Sequence, residues 1–158
     1  MNDKLIRLTN IGFTLAGSWM TNGSGIAVKL DKMKTARNVL YAFFVDKELV
    51  YIGKTTIKLH DRMQRYKTPA KKSKMGGTTN IKNHLKIKDC LMLGKEVQVY
   101  VLPDNGLLHY GGFHINLAAG LEDSLVRELT PSWNGGKKES KQQSFEPTEY
   151  QSYAPPGD

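Results

Sequence analysis

Glu122 has the most unusual position of any side chain in the sequence. Residues 118–129 show the apolar period of an amphipathic helix, and Glu122 falls inside the apolar arc, between Leu129 and Val126. The other acids of this helix fall on its polar side. An ionised carboxylate in a protein core is costly unless a cation, a metal ion or hydrogen-bond donors compensate it. Glu122 is therefore a candidate metal ligand or catalytic group, with a buried ion pair as the alternative.

Two tyrosines interrupt a strongly apolar predicted hairpin. Residues 39–45 and 49–53 are rich in β-branched and aromatic side chains and flank the polar residues 46–48. A three-residue loop would place Tyr41 and Tyr51 on one face as diagonal neighbours, whereas a two-residue loop would place them on opposite faces. A buried hydroxyl needs a hydrogen-bond partner. The pair is either two ordinary core tyrosines or part of a functional site.

The basic residues are concentrated in one segment. The net charge of +8 comes from 23 Lys or Arg residues and 15 Asp or Glu residues. Residues 54–88 contain eleven of these cations and one acid, Asp61, so that this segment carries +10 and the rest of the chain −2. Counterion release makes such a cluster a favourable surface for phosphates. We expect nucleic acid to bind here, although any single lysine is compatible with an ordinary solvated surface.

Length and composition exclude several classes of protein. The 158 residues suffice for one domain with a core, and 39% hydrophobic residues indicate a soluble globular fold. No apolar run approaches the roughly 20 residues of a membrane span, and no signal peptide is recognisable. Cys90 is the only cysteine, which excludes an internal disulfide and a zinc site of paired cysteines. We expect a cytoplasmic protein with no membrane partner.

The apolar patterns predict an α+β fold with a small, mostly antiparallel central sheet, helices packed around it and an N-terminal β-hairpin. The predicted hairpin strands cover 11–20 and 26–30. The other predicted elements are helices from Thr55 or Thr56 to Tyr66, from Thr78 or Thr79 to 93 and over 118–129, strands over 97–102 and near 113–115, and a loop over 67–77. The chain then divides into N-terminal strands (1–37), a core (38–135) and a tail with no predicted structure (136–158).

The combination of motifs resembles the GIY-YIG nuclease superfamily. The resemblance rests on the tripeptide VLY ending at Tyr41, YIGK beginning at Tyr51, then Arg62, a late helical Glu122 and Asn134. It spans about residues 38–135 and is particularly similar to restriction endonucleases and a small phage endonuclease of this superfamily. Two positions depart from the motif, since VLY replaces GIY and Tyr66 stands where some members have histidine.

The resemblance implies a metal-dependent DNA endonuclease that leaves 5′-phosphate and 3′-hydroxyl ends. Tyr41 would act as general base, with Lys54 or the metal favouring its phenolate. Glu122 would hold one Mg²⁺ or Mn²⁺ ion, and Arg62 would bind the scissile phosphate. Tyr51 and Tyr66 would orient water or phosphate, and Asn134 would fix Glu122 or the loop around it. The implied catalytic set is Tyr41, Tyr51, Lys54, Arg62, Tyr66, Glu122 and Asn134.

Sequence specificity would come from other residues, because these groups contact phosphate rather than base edges. The N-terminal strands and residues 67–88 are the expected readers of double-stranded DNA. The expected contacts are Lys58, Arg65, Lys71, Lys72, Lys74, Thr79, Asn80, Lys82 and His84. Cutting both strands with one site per chain requires a homodimer or two sequential nicks, and we expect the homodimer.

The alternative function is a non-catalytic basic module that binds nucleic acid, with the tyrosines as stacking or core residues. An acid inside the apolar arc of a helix favours the enzyme. Among nucleases, a restriction or phage DNA-degrading enzyme is favoured over a mobile-element endonuclease, because the latter usually carries a separate DNA-binding domain.

Overall fold

A five-stranded antiparallel sheet forms the centre of the molecule. The computed structural model describes residues 2–70 and 77–135. Its strands are β1 (Thr14–Asn22), β2 (Gly25–Leu30), β3 (Val39–Val45), β4 (Glu48–Thr55) and β5 (Val97–Pro103), in the spatial order β2-β1-β5-β3-β4. All neighbouring strands in this sheet pair antiparallel. The predicted α+β class and mostly antiparallel sheet are confirmed.

Helices cover both faces of the sheet. They are α1 (Asp3–Asn10), α2 (Leu59–Lys67), α3 (Gly77–Met92) and α4 (Leu117–Leu129), and a short hairpin of β6 (His109–Tyr110) and β7 (Phe113–His114) precedes α4. The side chains of Tyr41 and Tyr51 face α2 and α3, whereas those of Ala42 and Ile52 face α1 and α4. Because both faces are covered, β3 and β4 are apolar along their length. No helix within residues 2–70 and 77–135 is long and apolar enough to cross a membrane.

The N-terminal helix α1 is absent from the sequence-based prediction. Asn2 caps it, since its Oδ1 accepts the N–H of Lys4 at 2.9 Å. Eight residues are too few for an apolar period to stand out. The predicted hairpin is present but begins at Thr14, and β1 pairs with β5, which places the hairpin within the central sheet. The expected contact of residues 1–37 with DNA stays a prediction.

The turn between β3 and β4 has two residues, the shorter of the two loops that the sequence left open. Asp46 and Lys47 both have positive φ, 46° and 68°, as a type I′ turn requires. Asp46 tolerates this conformation because it is held by Glu96: its N–H donates to the Glu96 carbonyl and its Oδ1 accepts the Glu96 N–H, both at 2.9 Å. These two bonds offset the cost of a left-handed residue that is not glycine.

A β-bulge in β4 corrects the register after this short turn. Phe44 pairs with Leu49, but Phe43 pairs with Tyr51, so Val50 is the extra residue. Without the bulge, a two-residue turn would leave Tyr41 and Tyr51 on opposite faces. Tyr41 and Tyr51 therefore share a face, as a three-residue loop would have required, but because of the bulge and not because of loop length.

The second helix begins later than the sequence indicated. Neither Thr55 nor Thr56 caps it, because β4 continues through Thr55. The first N–H groups of α2 donate instead to backbone carbonyls of the loop between β2 and β3. Leu59 donates to Ala36 and His60 to Lys34, both at 2.9 Å. The later helices, α3 and α4, lie close to their predicted bounds. Most of the predicted loop, 71–76, and the predicted tail, 136–158, lie outside the described residues.

Gly17 is required for the pairing of β1 with β2. A Cβ at this position would lie 1.9 Å from the carbonyl oxygen of Lys29. We predict that Gly17→Ala lowers the free energy of unfolding by about 1–3 kcal/mol, because the β2 backbone would have to move. Gly25→Ala in the same hairpin is the matched control, since its nearest atom would be the Asn22 carbonyl oxygen at 3.6 Å. Equal stability of the two variants in urea denaturation would contradict this prediction.

Candidate active site

Three tyrosine hydroxyls converge between the sheet and α2. The oxygens of Tyr41 and Tyr66 lie 2.6 Å apart, and the Tyr66 hydroxyl donates to that of Tyr51 at 3.5 Å. A hydroxyl has only one proton to donate, so Tyr41 must be the donor to Tyr66. The ring centroids of Tyr41 and Tyr51 are 6.2 Å apart, and the ring of Tyr66 meets both edge-on. The structure thus brings together the three predicted tyrosines; we name them the phenol cluster.

Gly53 leaves the space that the Tyr41 side chain occupies. These two residues pair across β3 and β4. A Cβ on Gly53 would lie 2.6 Å from both Cζ and the hydroxyl oxygen of Tyr41. Only a residue without a side chain is therefore compatible with the Tyr41 ring in this position.

Arg62 holds the phenol cluster from α2. Its Nη2 donates to the Tyr66 hydroxyl at 2.8 Å, and its Nη1 donates to Oδ1 of Asn80 on α3 at 2.9 Å. The guanidinium carbon also lies 4.2 Å from the ring centroid of Tyr66 and 6.0 Å from that of Tyr41. Arg62 is therefore the cation in contact with the cluster; its implied role of binding phosphate stays a prediction.

Burial raises the pKa of all three phenols. Tyr41 is wholly buried, and the charge of Tyr51 raises its pKa further, while the positive charge of Arg62 opposes the rise. The pKa of Tyr66 is raised by burial and then by Tyr41, and Arg62 again opposes it. The hydroxyls therefore keep their protons at neutral pH. In the described residues, the charge that lowers the pKa of Tyr41 is that of Arg62; the implied role of Lys54 or the metal stays a prediction.

Glu122 lies half-buried on α4. This helix packs on the face of β3 and β4 opposite to the one that carries the phenol cluster. Burial raises the pKa of its carboxyl group, Lys54 lowers it and Asp123 raises it. The charge of Glu122 also adds to the raised pKa of Tyr51, after burial and Tyr66, so the carboxylate is within electrostatic reach of the phenol cluster. No lysine or arginine in the described ranges forms an ion pair with Glu122. The alternative of a buried ion pair is not supported.

Asn134 bonds the backbone of β4 rather than Glu122. Its Oδ1 accepts the Ile52 N–H at 2.9 Å, and its Nδ2 donates to the Ile52 carbonyl at 2.8 Å. The N–H of Trp133 donates to the carbonyl of Val50 at 2.7 Å. These bonds satisfy the outer edge of β4 on either side of Tyr51. Asn134 thus fixes the strand that carries Tyr51, which differs from the implied role of fixing Glu122.

A cationic cleft opens beside the phenol cluster. Its volume is about 430 Å³, and Lys54, Arg62 and Arg65 supply its positive charge. The neutral polar residues of its lining include Asn38, Thr55 and Asn116. Asn38 and Asn116 are absent from the predicted site, because neither belongs to a motif: Asn38 bonds Asp104, and Asn116 caps α4. The cleft has the charge and hydrogen-bonding groups that a phosphate needs.

The predicted DNA contacts occupy several different environments. Arg65, Thr79 and Lys82 are exposed, and Lys58 is half-buried at the start of α2. Lys71, Lys72 and Lys74 lie outside the described residues.

Asn80 and His84 are turned toward α2 and are not plain surface residues. Asn80 accepts from Arg62, and Nδ1 of His84 lies 2.8 Å from the carbonyl oxygen of Tyr66. A carbonyl can only accept, so Nδ1 of His84 carries a proton and donates. The side-chain atoms that make these bonds are engaged within the protein rather than available to DNA.

Two solved structures share this fold. No protein-family model matches the sequence, and no curated protein shows significant similarity to it. A mutant of bacteriophage T4 EndoII superposes with a TM-score of 0.64 at 22% identity, over 85% of this chain and 100% of that one. Restriction endonuclease HPY188I in complex with product DNA gives 0.52 at 16% identity, over 90% and 87%. The chain shares the fold of these two proteins.

The close approach of Gly53 to Tyr41 generates a stability prediction. Gly53→Ala should lower the free energy of unfolding by about 1–3 kcal/mol, because the new methyl group displaces the buried Tyr41 ring. In a Tyr41→Leu background the same change should cost less, since the clashing atoms are gone. Gly120→Ala is the control: its Cβ meets nothing within 4 Å, and helix propensity should stabilise it by about 0.5–1 kcal/mol. An undiminished cost in the Tyr41→Leu background, measured by urea denaturation, would refute the clash.

Proposed function

We propose that the chain is a divalent-metal-dependent endonuclease of the GIY-YIG type that hydrolyses double-stranded DNA and leaves 5′-phosphate and 3′-hydroxyl ends. The observation that carries this proposal is a half-buried carboxylate, Glu122, whose charge reaches Tyr51 of the phenol cluster. Arg62 donates to the same cluster. The two structures with a similar fold support it, since both are endonucleases by name and HPY188I was solved with product DNA.

Tyr41 is the proposed general base. Its phenolate takes a proton from the attacking water, and a new bond forms between that water oxygen and phosphorus. The bond between phosphorus and the 3′ oxygen breaks, and the leaving oxygen takes a proton from solvent water to become the 3′-hydroxyl. Because burial raises the pKa of Tyr41, the phenolate is rare in the free protein. Arg62 favours it by charge, and Tyr66, 2.6 Å away, remains as its hydrogen-bond partner. Tyr51 retains 8% exposure and orients water at the edge of the cluster.

Arg62 and Lys54 bind the negatively charged phosphate. Both line the cationic cleft, and Arg62 uses two of its five N–H groups within the protein. Three donors of the guanidinium remain for phosphate oxygens, in the planar geometry that suits them. Arg65, at the same cleft, extends the cationic surface toward the neighbouring backbone of the DNA.

Glu122 is suited to be a ligand of Mg²⁺ or Mn²⁺. It is a hard oxygen donor whose half-burial raises its pKa, a penalty that an adjacent dication relieves. The described parts of the chain contain no cluster of three or more His, Cys, Asp or Glu residues. Mg²⁺ commonly binds through one or two carboxylates, waters and substrate phosphate. When bound, the metal supplies charge neutralisation at the scissile phosphate and the leaving oxygen.

The burial of the tyrosines disfavours the alternative of a stacking module. Tyr41 and Tyr66 have no exposed surface, and Tyr51 has little. Base stacking requires an accessible aromatic face. A non-catalytic module with the tyrosines as core residues is distinguished from the enzyme by the cleavage assay below.

A homodimer is proposed because each chain holds one candidate site and the substrate has two strands. The β6–β7 hairpin supports self-association. Tyr110 and Phe113 are 81% and 80% exposed, and Leu107 nearby is 75% exposed. Such an apolar patch is uncommon on a monomer unless it binds something.

Cleavage of supercoiled plasmid with Mg²⁺ tests the function directly. We expect the wild-type protein to cut, and Glu122→Gln and Tyr41→Phe to lower the rate by at least about 100-fold, since each removes a group that acts at the reacting phosphate. Asp123→Asn is the matched control, because the neighbouring carboxylate is exposed and should be dispensable. Binding of plasmid without any metal-dependent cleavage would indicate the basic module instead.

Thermal unfolding tests the role of Glu122 independently of cleavage. The folded state raises the pKa of Glu122, so it binds this proton more tightly than the unfolded state does. The resulting destabilisation is absent below the ordinary pKa and complete above the raised one. In EDTA at pH 7, Glu122→Gln should therefore have a higher Tm than wild type, and the difference should vanish on acidification. Added Mg²⁺ should raise the Tm of wild type but not of Glu122→Gln; an equal rise in both would place the metal elsewhere.

Sedimentation equilibrium tests the homodimer. We expect a mass of twice 17.7 kDa for the wild-type protein and a shift toward the monomer for Tyr110→Ser combined with Phe113→Ser, because the apolar surface is lost. Met92→Ser, an equally exposed apolar residue on α3, is the control. A wild-type monomer both free and on uncut DNA would refute the dimer.

A further inference from the structure

The orientation of Arg62 is fixed by a residue from another helix. Tyr66 accepts from Nη2 but lies on the same helix as Arg62, one turn further on. Asn80 accepts from Nη1 at 2.9 Å and belongs to α3. The guanidinium is thus held at two of its three nitrogens from two directions, which restricts rotation about its long side chain.

The face of α3 that carries Asn80 is itself held against the rest of the fold. Asn80, Asn83, His84 and Ile87 recur at helical spacing, and Asn83 and Ile87 are buried, with at most 1% exposed. One turn after Asn80, His84 donates to the Tyr66 carbonyl at 2.8 Å. The Asn80 oxygen is therefore presented to Arg62 from a supported surface, and not from a freely rotating side chain.

A neutral acceptor suits this position. An amide oxygen takes one N–H from Arg62 and leaves its positive charge intact. A carboxylate would form an ion pair and compete with phosphate for the same fork of donors. The choice of asparagine therefore fits a task in which orientation is needed but neutralisation is harmful.

We propose that Asn80 is a positioning residue that orients Arg62 toward the scissile phosphate. The proposal rests on the nuclease function above and replaces the expectation that Asn80 contacts DNA. Because Asn80 holds the Arg62 side chain before substrate binds, Arg62 loses its rotational freedom when the protein folds and not when the substrate complex forms. Asn80 then affects the rate of the chemical step more than the affinity for DNA.

The experiment compares wild type, Asn80→Ala, Asn80→Asp and Asn105→Ala, the last being the same change at an exposed asparagine outside the cleft and the expected DNA contacts. Single-turnover cleavage rates are measured with Mg²⁺, and Kd for uncut duplex is measured in EDTA by fluorescence anisotropy. We expect Asn80→Ala to cut about tenfold more slowly with Kd changed less than about twofold. Asn80→Asp keeps size and acceptor but adds charge, so it should fold normally and cut at least as slowly as Asn80→Ala.

The outcomes separate this proposal from the function on which it rests. A wild-type protein that does not cut DNA refutes the nuclease. If the wild type cuts DNA, and Asn80→Ala and Asn80→Asp both cut at the wild-type rate, only the positioning role is refuted. Equal losses of rate and affinity would also overturn it, because they indicate a direct contact between Asn80 and DNA. If Asn80→Ala fails to fold, the isosteric Asn80→Asp decides by its rate.

Discussion

The burial of three phenols against a single guanidinium is the interaction on which the candidate site depends. The Tyr66 oxygen accepts from Arg62 and Tyr41 and donates to Tyr51, which uses the whole capacity of one hydroxyl. Any shift of α2 relative to β3 and β4 would leave a buried polar group unpaired. This saturated network therefore fixes one helix and two strands in a single relative position.

The same network keeps Tyr41 and Tyr51 protonated in the free protein. Burial raises the pKa of both phenols, and half-burial raises the pKa of Glu122. Positive charge that arrives with the substrate would lower these pKa values and favour the ionised groups that the proposed mechanism uses. A fold that holds these groups out of water sacrifices some stability for a site that responds to its ligand.

Much of the fold and of the site follows from local residue patterns. Apolar runs predicted β3, β4, β5 and α4, because each contains enough buried residues to show its period. Glu122 could be singled out because the helical period places its charged side chain among apolar ones. The grouping of the three tyrosines was implied only by the resemblance to the GIY-YIG superfamily.

The remaining features depend on contacts between distant parts of the chain. The bulge at Val50 and the cap of α2 by carbonyls of residues 34 and 36 leave no local mark, because tertiary partners replace the usual turn and capping residues. Asn80 was assigned to DNA from its basic neighbourhood, but its bond to Arg62 requires knowing how α3 packs on α2. Asn134 likewise pairs with a strand about eighty residues earlier in the chain.

The two bonds of Asn134 have a wider consequence, because its side-chain amide makes the pair of hydrogen bonds that a neighbouring strand would make. It bonds both the N–H and the carbonyl of Ile52, which would otherwise be unpaired on the edge strand β4. Unpaired rungs on apolar edges are where separate chains join into larger aggregates. A shortened protein ending before residue 131 would lose this cover, and we expect such a fragment to precipitate through strand-to-strand association even while its central sheet is still formed.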